Sequence, residues 1–128
     1  GQGANLALVA RDAEALATVA EEARALGVQA ETYVADLTSE ESVAALEKAV
    51  IARYGKVHIL INNAGMNLRK KIHEFTLEEW MRVTNTNLTS VFLMCRAFVP
   101  HMKGQGYGRI FNMTSIMAHV SLPERTAY

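Results

Sequence analysis

Few side chains of this 128-residue chain could do chemistry, and they fall in four places. Asn62-Asn-Ala-Gly65 directly follows the apolar run Val57-His-Ile-Leu-Ile61, and Asn87-Leu-Thr-Ser-Val-Phe92 lies further on. Ser115 comes just after Gly108-Arg-Ile-Phe-Asn-Met113, and Tyr128 stands thirteen positions beyond it. Taken singly, each has a plain structural reading: a polar turn, a helical asparagine, a loop serine, an exposed tyrosine. The two hydroxyls can donate and accept hydrogen bonds. A tyrosine, however, ordinarily titrates at about 10, so it acts as a base at neutral pH only beside a positive charge. The histidines at 58, 73, 101 and 119 lack metal-ligand spacing, and no metal is expected. Met117 and His119 lie close enough to Ser115 to line a pocket with it, whereas Arg69-Lys-Lys71 reads as a solvated loop.

Alternating elements must position these groups. Asn5 to Ala10 is an apolar run that reads as a buried strand. Asp12 is a plausible N-cap for a helix over Ala13 to Ala25, which carries Leu16, Val19, Ala20 and Ala23 at helical spacing and stops at Gly27. Val28 to Ala35 is a second strand. Thr38-Ser-Glu-Glu41 has the spacing of a capping box, and Val43, Leu46, Val50 and Ile51 line one face of the helix that follows, to about Gly55. Val57 to Ile61 is a third strand. A second capping box, Thr76-Leu-Glu-Glu79, opens a long helical segment to about Lys103, and Gly108 to Met113 is the fourth strand. Strands alternating with helices predict a parallel sheet covered by helices.

Composition narrows the partners. Half of the residues are apolar and 20% are charged, as in an ordinary globular domain. Thirteen basic residues balance thirteen acidic ones, so no electrostatic footprint for nucleic acid or an anionic membrane is present. No apolar run approaches the roughly 20 residues that cross a bilayer. The single cysteine, Cys95, lies in an apolar helical stretch and reads as a buried, inert thiol. The expected partners are small molecules or other subunits, and the expected location is the cytoplasm.

The four signals together resemble, in order and spacing, the short-chain dehydrogenase/reductase family. The resemblance runs the length of the chain, from that fold's second strand to its catalytic tyrosine. It implies a Rossmann-like, doubly wound α/β domain over residues 1–128, incomplete at both ends. The family's first strand and its Thr-Gly-x-x-x-Gly-x-Gly turn, which holds the cofactor pyrophosphate, have no counterpart here, and the lysine four positions past the tyrosine lies beyond Tyr128. In the family's strand order the first strand sits between those matching 5–10 and 57–61. Without it, two inner strand edges are left unpaired or the two strands are forced together.

Residue by residue, the resemblance assigns roles. Tyr128 exchanges a proton with the substrate oxygen while hydride passes between the nicotinamide and the substrate carbon. Ser115 donates a hydrogen bond to that oxygen. Asn87, rather than the nearby Asn85, positions a water in the proton relay. Asn63, Ala64 and Gly65 let the backbone approach the cofactor, and Asp36-Leu37 contacts the adenine. At the end of the first strand Ala10 stands where an acid would favour NAD, and Arg11 follows, able to pair with a 2′-phosphate. NADP(H) is therefore favoured over NAD(H), although Asp12 is adjacent. Asn62 and Asn112 read as structural ties.

The implied reaction is the interconversion of a secondary alcohol and a ketone by an NAD(P)-dependent oxidoreductase. Asn67-Leu-Arg-Lys-Lys71 and Ser115-Ile-Met-Ala118 look like dehydrogenases of gluconate or polyols. Many relatives are tetramers built partly on the helix matching 76–103, so a homo-oligomer, tetramer or dimer, is implied. Lacking the phosphate cradle and the lysine, residues 1–128 alone are expected to be inactive. The alternative is a non-catalytic binding or assembly module derived from such an enzyme.

Overall fold

A computed structural model describes residues 3–120 and 122–128. The order is β1 (Leu6–Ala10), α1 (Ala13–Ala25), β2 (Ala30–Val34), α2 (Glu40–Tyr54), β3 (Ile59–Asn62), α3 (Leu77–Thr84), α4 (Ser90–Phe98) and β4 (Arg109–Asn112). Short 3-10 turns occupy Ile72–Glu74, Val99–Met102 and Ile116–Ala118. Among the described residues no helix is long and apolar enough to cross a membrane.

Local chemistry explains the boundaries. Asp12 caps α1, its carboxylate accepting from the N–H groups of Glu14 and Ala15 at 3.0 Å each. Gly27 (φ 82°) and Gly55 (φ 73°) take the left-handed backbone that turns the chain out of α1 and α2. The cap of α2 is Ser39 rather than Thr38: its hydroxyl accepts from Ser42 N–H. Thr38 is drawn away because its own N–H and hydroxyl both donate to Asp36, at 2.9 and 2.7 Å. At α3 the capping box holds as expected, Thr76 and Glu79 satisfying each other's backbone N–H.

The long helix expected to about Lys103 is not uniform. Between α3 and α4 the residues Asn85–Thr89 form a π segment, and the last turn is 3-10. No proline or glycine marks the π segment, so residue periodicity could not reveal it; such insertions concentrate at functional sites.

The four strands form two separate parallel pairs, β1 with β2 and β3 with β4. Leu6 and Ala10 direct their peptide groups at β2, so by alternation Ala7 and Val9 face the other way. His58 and Asn62 likewise bond across to β4, which turns the peptide groups of Ile59 and Ile61 outward. Of the two outcomes foreseen for the inner edges, both stay unpaired and the strands are not forced together.

One core nevertheless joins the pairs. Val43, Leu46 and Val50 of α2 pack with Leu60 of β3 and with Leu93, Met94 and Phe98 of α4, and Val9 and Tyr33 close on this cluster from β1 and β2. Burying such side chains contributes roughly 1.5–3 kcal/mol each. A smaller cluster of Ala20, Ala23 and Ala30 seats α1 on β2, where only small side chains let helix and strand approach. Cys95 is half-buried beside the main core, with the Asn62 amide 3.6 Å from its sulfur.

Candidate active site

The site grows from the carboxyl ends of β3 and β4, where parallel α/β sheets present their loops to ligands. Asn62 and Asn112 are register partners at these ends. The Asn62 amide donates to the Asn112 side-chain oxygen at 2.9 Å, and Met113 N–H donates to the Asn62 carbonyl at 3.0 Å. Tied in this way, the loops after the two strands leave side by side.

Asn87 anchors the first loop. From the π segment its side-chain oxygen accepts from Met66 N–H at 2.7 Å and its Nδ2 donates to the Met66 carbonyl at 2.8 Å. The Asn87 side chain is thus bonded to the backbone of the loop that carries Asn63, Ala64 and Gly65.

Ser115 opens the second loop. It caps the turn Ile116–Ala118, its Oγ accepting from Met117 N–H at 3.3 Å. That bond uses one lone pair, and the hydroxyl keeps its proton to donate and a second lone pair to accept.

Tyr128 reaches the site through a third segment held from the first loop. Lys70 N–H donates to the Glu124 carbonyl at 3.1 Å, and the Thr126 hydroxyl donates to the Lys70 carbonyl at 3.2 Å. Glu124 adopts a left-handed backbone (φ 64°), a strained state for a residue with a Cβ. The Arg125 guanidinium lies 5.8 Å from the centre of the Tyr128 ring, within range of a cation–π attraction. Arg69 and Lys71 are exposed, as a solvated loop requires, and Lys70 alone departs from that reading. Its ammonium bonds both oxygens of Glu79 at 2.7 and 2.9 Å, because the first turn of α3 offers a carboxylate there. That bond, followed by donation from Thr76, holds the Glu79 carboxyl below its ordinary range.

These segments enclose a cavity of about 520 Å³ that brings together Asn63, Ala64, Gly65, Asn87, Ser115 and Tyr128. Met117 lines it as expected. His119 does not; it ends the 3-10 turn and is exposed, and Ala118 lines the cavity instead. Sequence reasoning missed Met66, Asn67, Val91, Met113 and Thr114. The only signal for them was their adjacency to the motifs already singled out.

Arg11, Asp36 and Leu37 lie outside this cavity. Asp36 is exposed, and its carboxyl is held below the usual range, chiefly by Thr38 N–H, then by the Thr38 hydroxyl, with a smaller contribution from the charge of Arg11. The guanidinium and carboxylate therefore share a neighbourhood at the carboxyl ends of β1 and β2. Leu37 is partly buried and packs against the main core.

Comparison with known proteins places the fold in a family. A probable galactose dehydrogenase of Rhizobium meliloti is 38% identical over 128 residues, which cover 99% of this chain and 50% of the relative. An NAD+-bound xylitol dehydrogenase superposes with a TM-score of 0.89 at 34% identity, over 95% of this chain and 47% of that one. A gluconate 5-dehydrogenase from Burkholderia cenocepacia, in complex with NADP and tartrate, superposes with a TM-score of 0.88 at 32% identity, over 98% of this chain and 49% of that one. The chain thus spans about half the length of these relatives. Residues 1–128 match throughout the family described as short chain dehydrogenase. With its parallel strand pairs, its loops at their carboxyl ends and relatives of this kind, the chain belongs to the short chain dehydrogenase family.

Proposed function

We propose that the full-length protein is an oxidoreductase that interconverts a secondary alcohol and a ketone by hydride transfer, with NADP(H) favoured over NAD(H). The observation that carries this reading is the convergence of Ser115, Tyr128, Asn87 and the loop Asn63–Gly65 on one cavity. Ser115 donates its hydroxyl proton to the substrate oxygen and so fixes that oxygen near Tyr128. Tyr128 takes the proton from an alcohol or returns it to a ketone. Asn87 keeps Asn63, Ala64 and Gly65 in place through its two bonds to Met66.

The residues present fit a nicotinamide cofactor. Ala64 and Gly65 put no bulky side chain into the cavity, and a Cβ at Gly65 would stand 3.5 Å from the Asn87 side-chain oxygen, filling space now open beside it. When bound, the nicotinamide would supply the hydride donor or acceptor. Asp36 and Leu37 would take the adenine end, and Arg11 the 2′-phosphate. Residues 1–128 contain neither the glycine-rich turn nor the lysine of the family pattern, so this segment alone should bind cofactor poorly and turn over nothing. Self-association of the full-length protein is supported by Leu77 and Met81 of α3, Leu88 of the π segment and Phe92 of α4, all of which are exposed.

The test is oxidation of NADPH by the full-length protein with a panel of ketones, read by absorbance. Turnover that falls about a thousandfold or more in Tyr128→Phe, the scale of losing a general acid–base group, supports the reading. Unchanged turnover in that variant overturns it.

A further inference from the structure

At Lys70 the start of α3 meets the segment that ends in Tyr128. The Lys70 ammonium bonds both oxygens of Glu79, at 2.7 and 2.9 Å, and the Glu74 carbonyl at 3.3 Å. These three acceptors match the three N–H donors of an ammonium. The same Glu79 carboxylate accepts from Thr76 N–H at 2.9 Å, and the Thr76 hydroxyl accepts from Glu79 N–H at 3.1 Å. The capping box of α3 thus holds Glu79 in place, and Glu79 holds Lys70.

The backbone of Lys70 carries the other side of this link. Its N–H donates to the Glu124 carbonyl at 3.1 Å, its carbonyl accepts from the Thr126 hydroxyl at 3.2 Å, and Lys70 pairs with Arg125 as an isolated parallel bridge. Tyr128 N–H then donates to the Arg125 carbonyl at 3.4 Å, beneath the cation–π contact of Arg125 with its ring. Tyr128 itself is 45% exposed and belongs to neither core cluster among the described residues. A ring that the core does not grip takes its position from the backbone that carries it. An exposed ion pair contributes little to stability, but this one, with side chains 34% and 26% exposed, sits where its geometry reaches a reacting group.

We infer that Lys70 is a positioning residue: locked by Glu79, it fixes the segment that sets Tyr128 against the substrate oxygen. This rests on the dehydrogenase reading above. Lys70 does not line the cavity, so its effect on the reaction passes through Tyr128. Misplacing a reacting group by about 1 Å can cost on the order of a hundredfold in rate, and partial release of the segment should cost part of that.

The experiment uses the full-length protein with NADP(H) and its best alcohol or ketone. Lys70→Met, which removes the ammonium and leaves the backbone, should lower kcat by about tenfold and keep KM within about twofold, since the substrate still binds while proton exchange suffers. Lys70→Arg, which can bond both oxygens of Glu79, should keep most of kcat. Glu79→Gln, which preserves the capping box, should lose about threefold, and the double variant with Lys70→Met no more than Lys70→Met alone. Lys71→Met, which removes an exposed charge from the same loop, should turn over like the wild type. As a readout apart from turnover, amide hydrogen exchange over residues 124–128 should quicken in Lys70→Met while that of α1 and β2 stays unchanged. Should Lys70→Met fail to fold, Glu79→Gln carries the same comparison. A loss that falls on KM with kcat intact, an equal loss in Lys71→Met, or exchange that is unchanged over 124–128 or quickened throughout the protein overturns the inference and leaves the dehydrogenase reading standing. A wild type that oxidises no secondary alcohol and reduces no ketone overturns both.

Discussion

The side chain of Asn87 satisfies both backbone groups of Met66, accepting from its N–H at 2.7 Å and donating to its carbonyl at 2.8 Å. The bond pair spans 21 residues and joins the π segment to the loop that ends β3. Removing one partner leaves the other side of each bond unmet in a part-buried setting, at about 1–3 kcal/mol for each group. Asn87→Ala should therefore lower the urea midpoint of the full-length protein clearly. Asn87→Asp, which can still accept from Met66 N–H, should lose less. An Asn87→Ala midpoint equal to that of the wild type would show that the clamp contributes nothing.

Cofactor choice is expected to follow Arg11. It is exposed, lies near enough to Asp36 for its charge to be felt there, and follows Ala10 at the end of β1. A guanidinium on a phosphate forms charge-assisted bonds worth roughly 1.5–3 kcal/mol. In the full-length protein Arg11→Ala should weaken NADPH binding by about tenfold or more and leave NADH binding nearly unchanged. Fluorescence titration of both cofactors checks this, and equal loss for the two would remove Arg11 from the 2′-phosphate site.

Asp36 carries a pH dependence of known sign. Its folded carboxyl titrates below the ordinary 3.8, with Thr38 N–H as the largest cause and the Thr38 hydroxyl as the second. The stabilisation from these bonds is complete above the unfolded value and is lost as pH falls through the lower folded value. Because Asp36 is exposed, the effect on stability is small and best read from the carboxyl itself. Thr38→Val removes only the hydroxyl, so an NMR titration should show the Asp36 pKa rising part of the way towards 3.8. No rise would mean that the backbone N–H alone sets it.

Much of the fold was legible because short-range chemistry writes it. Asp12, Thr76 and Glu79 act as caps where their spacing foretold, and the apolar residues of α2 form the face that meets the core. Strand ends were off by a residue or more. The run from Val28 to Ala35 pairs only over Ala30–Val34, since pairing length depends on the neighbouring strand. The cap of α2 slipped from Thr38 to Ser39 because Asp36 competes for Thr38, a rivalry between adjacent polar groups that spacing does not rank.

The sequence by itself determined the strands and main helices, the parallel architecture and the motifs that flank the cavity, because caps, apolar periodicity and a spaced set of polar motifs are local properties of a chain. Only the tertiary structure decided how those residues are used. It alone gave the Asn87 amide to Met66 and tied Lys70 to both Glu79 and the Tyr128 segment. It alone left Asn67 with an unpaired oxygen and split the strands into two pairs. Each of these turns on which distant groups meet across the fold: a donor finds its acceptor only after packing has brought the two within about 3 Å, and no pattern along the chain carries that distance.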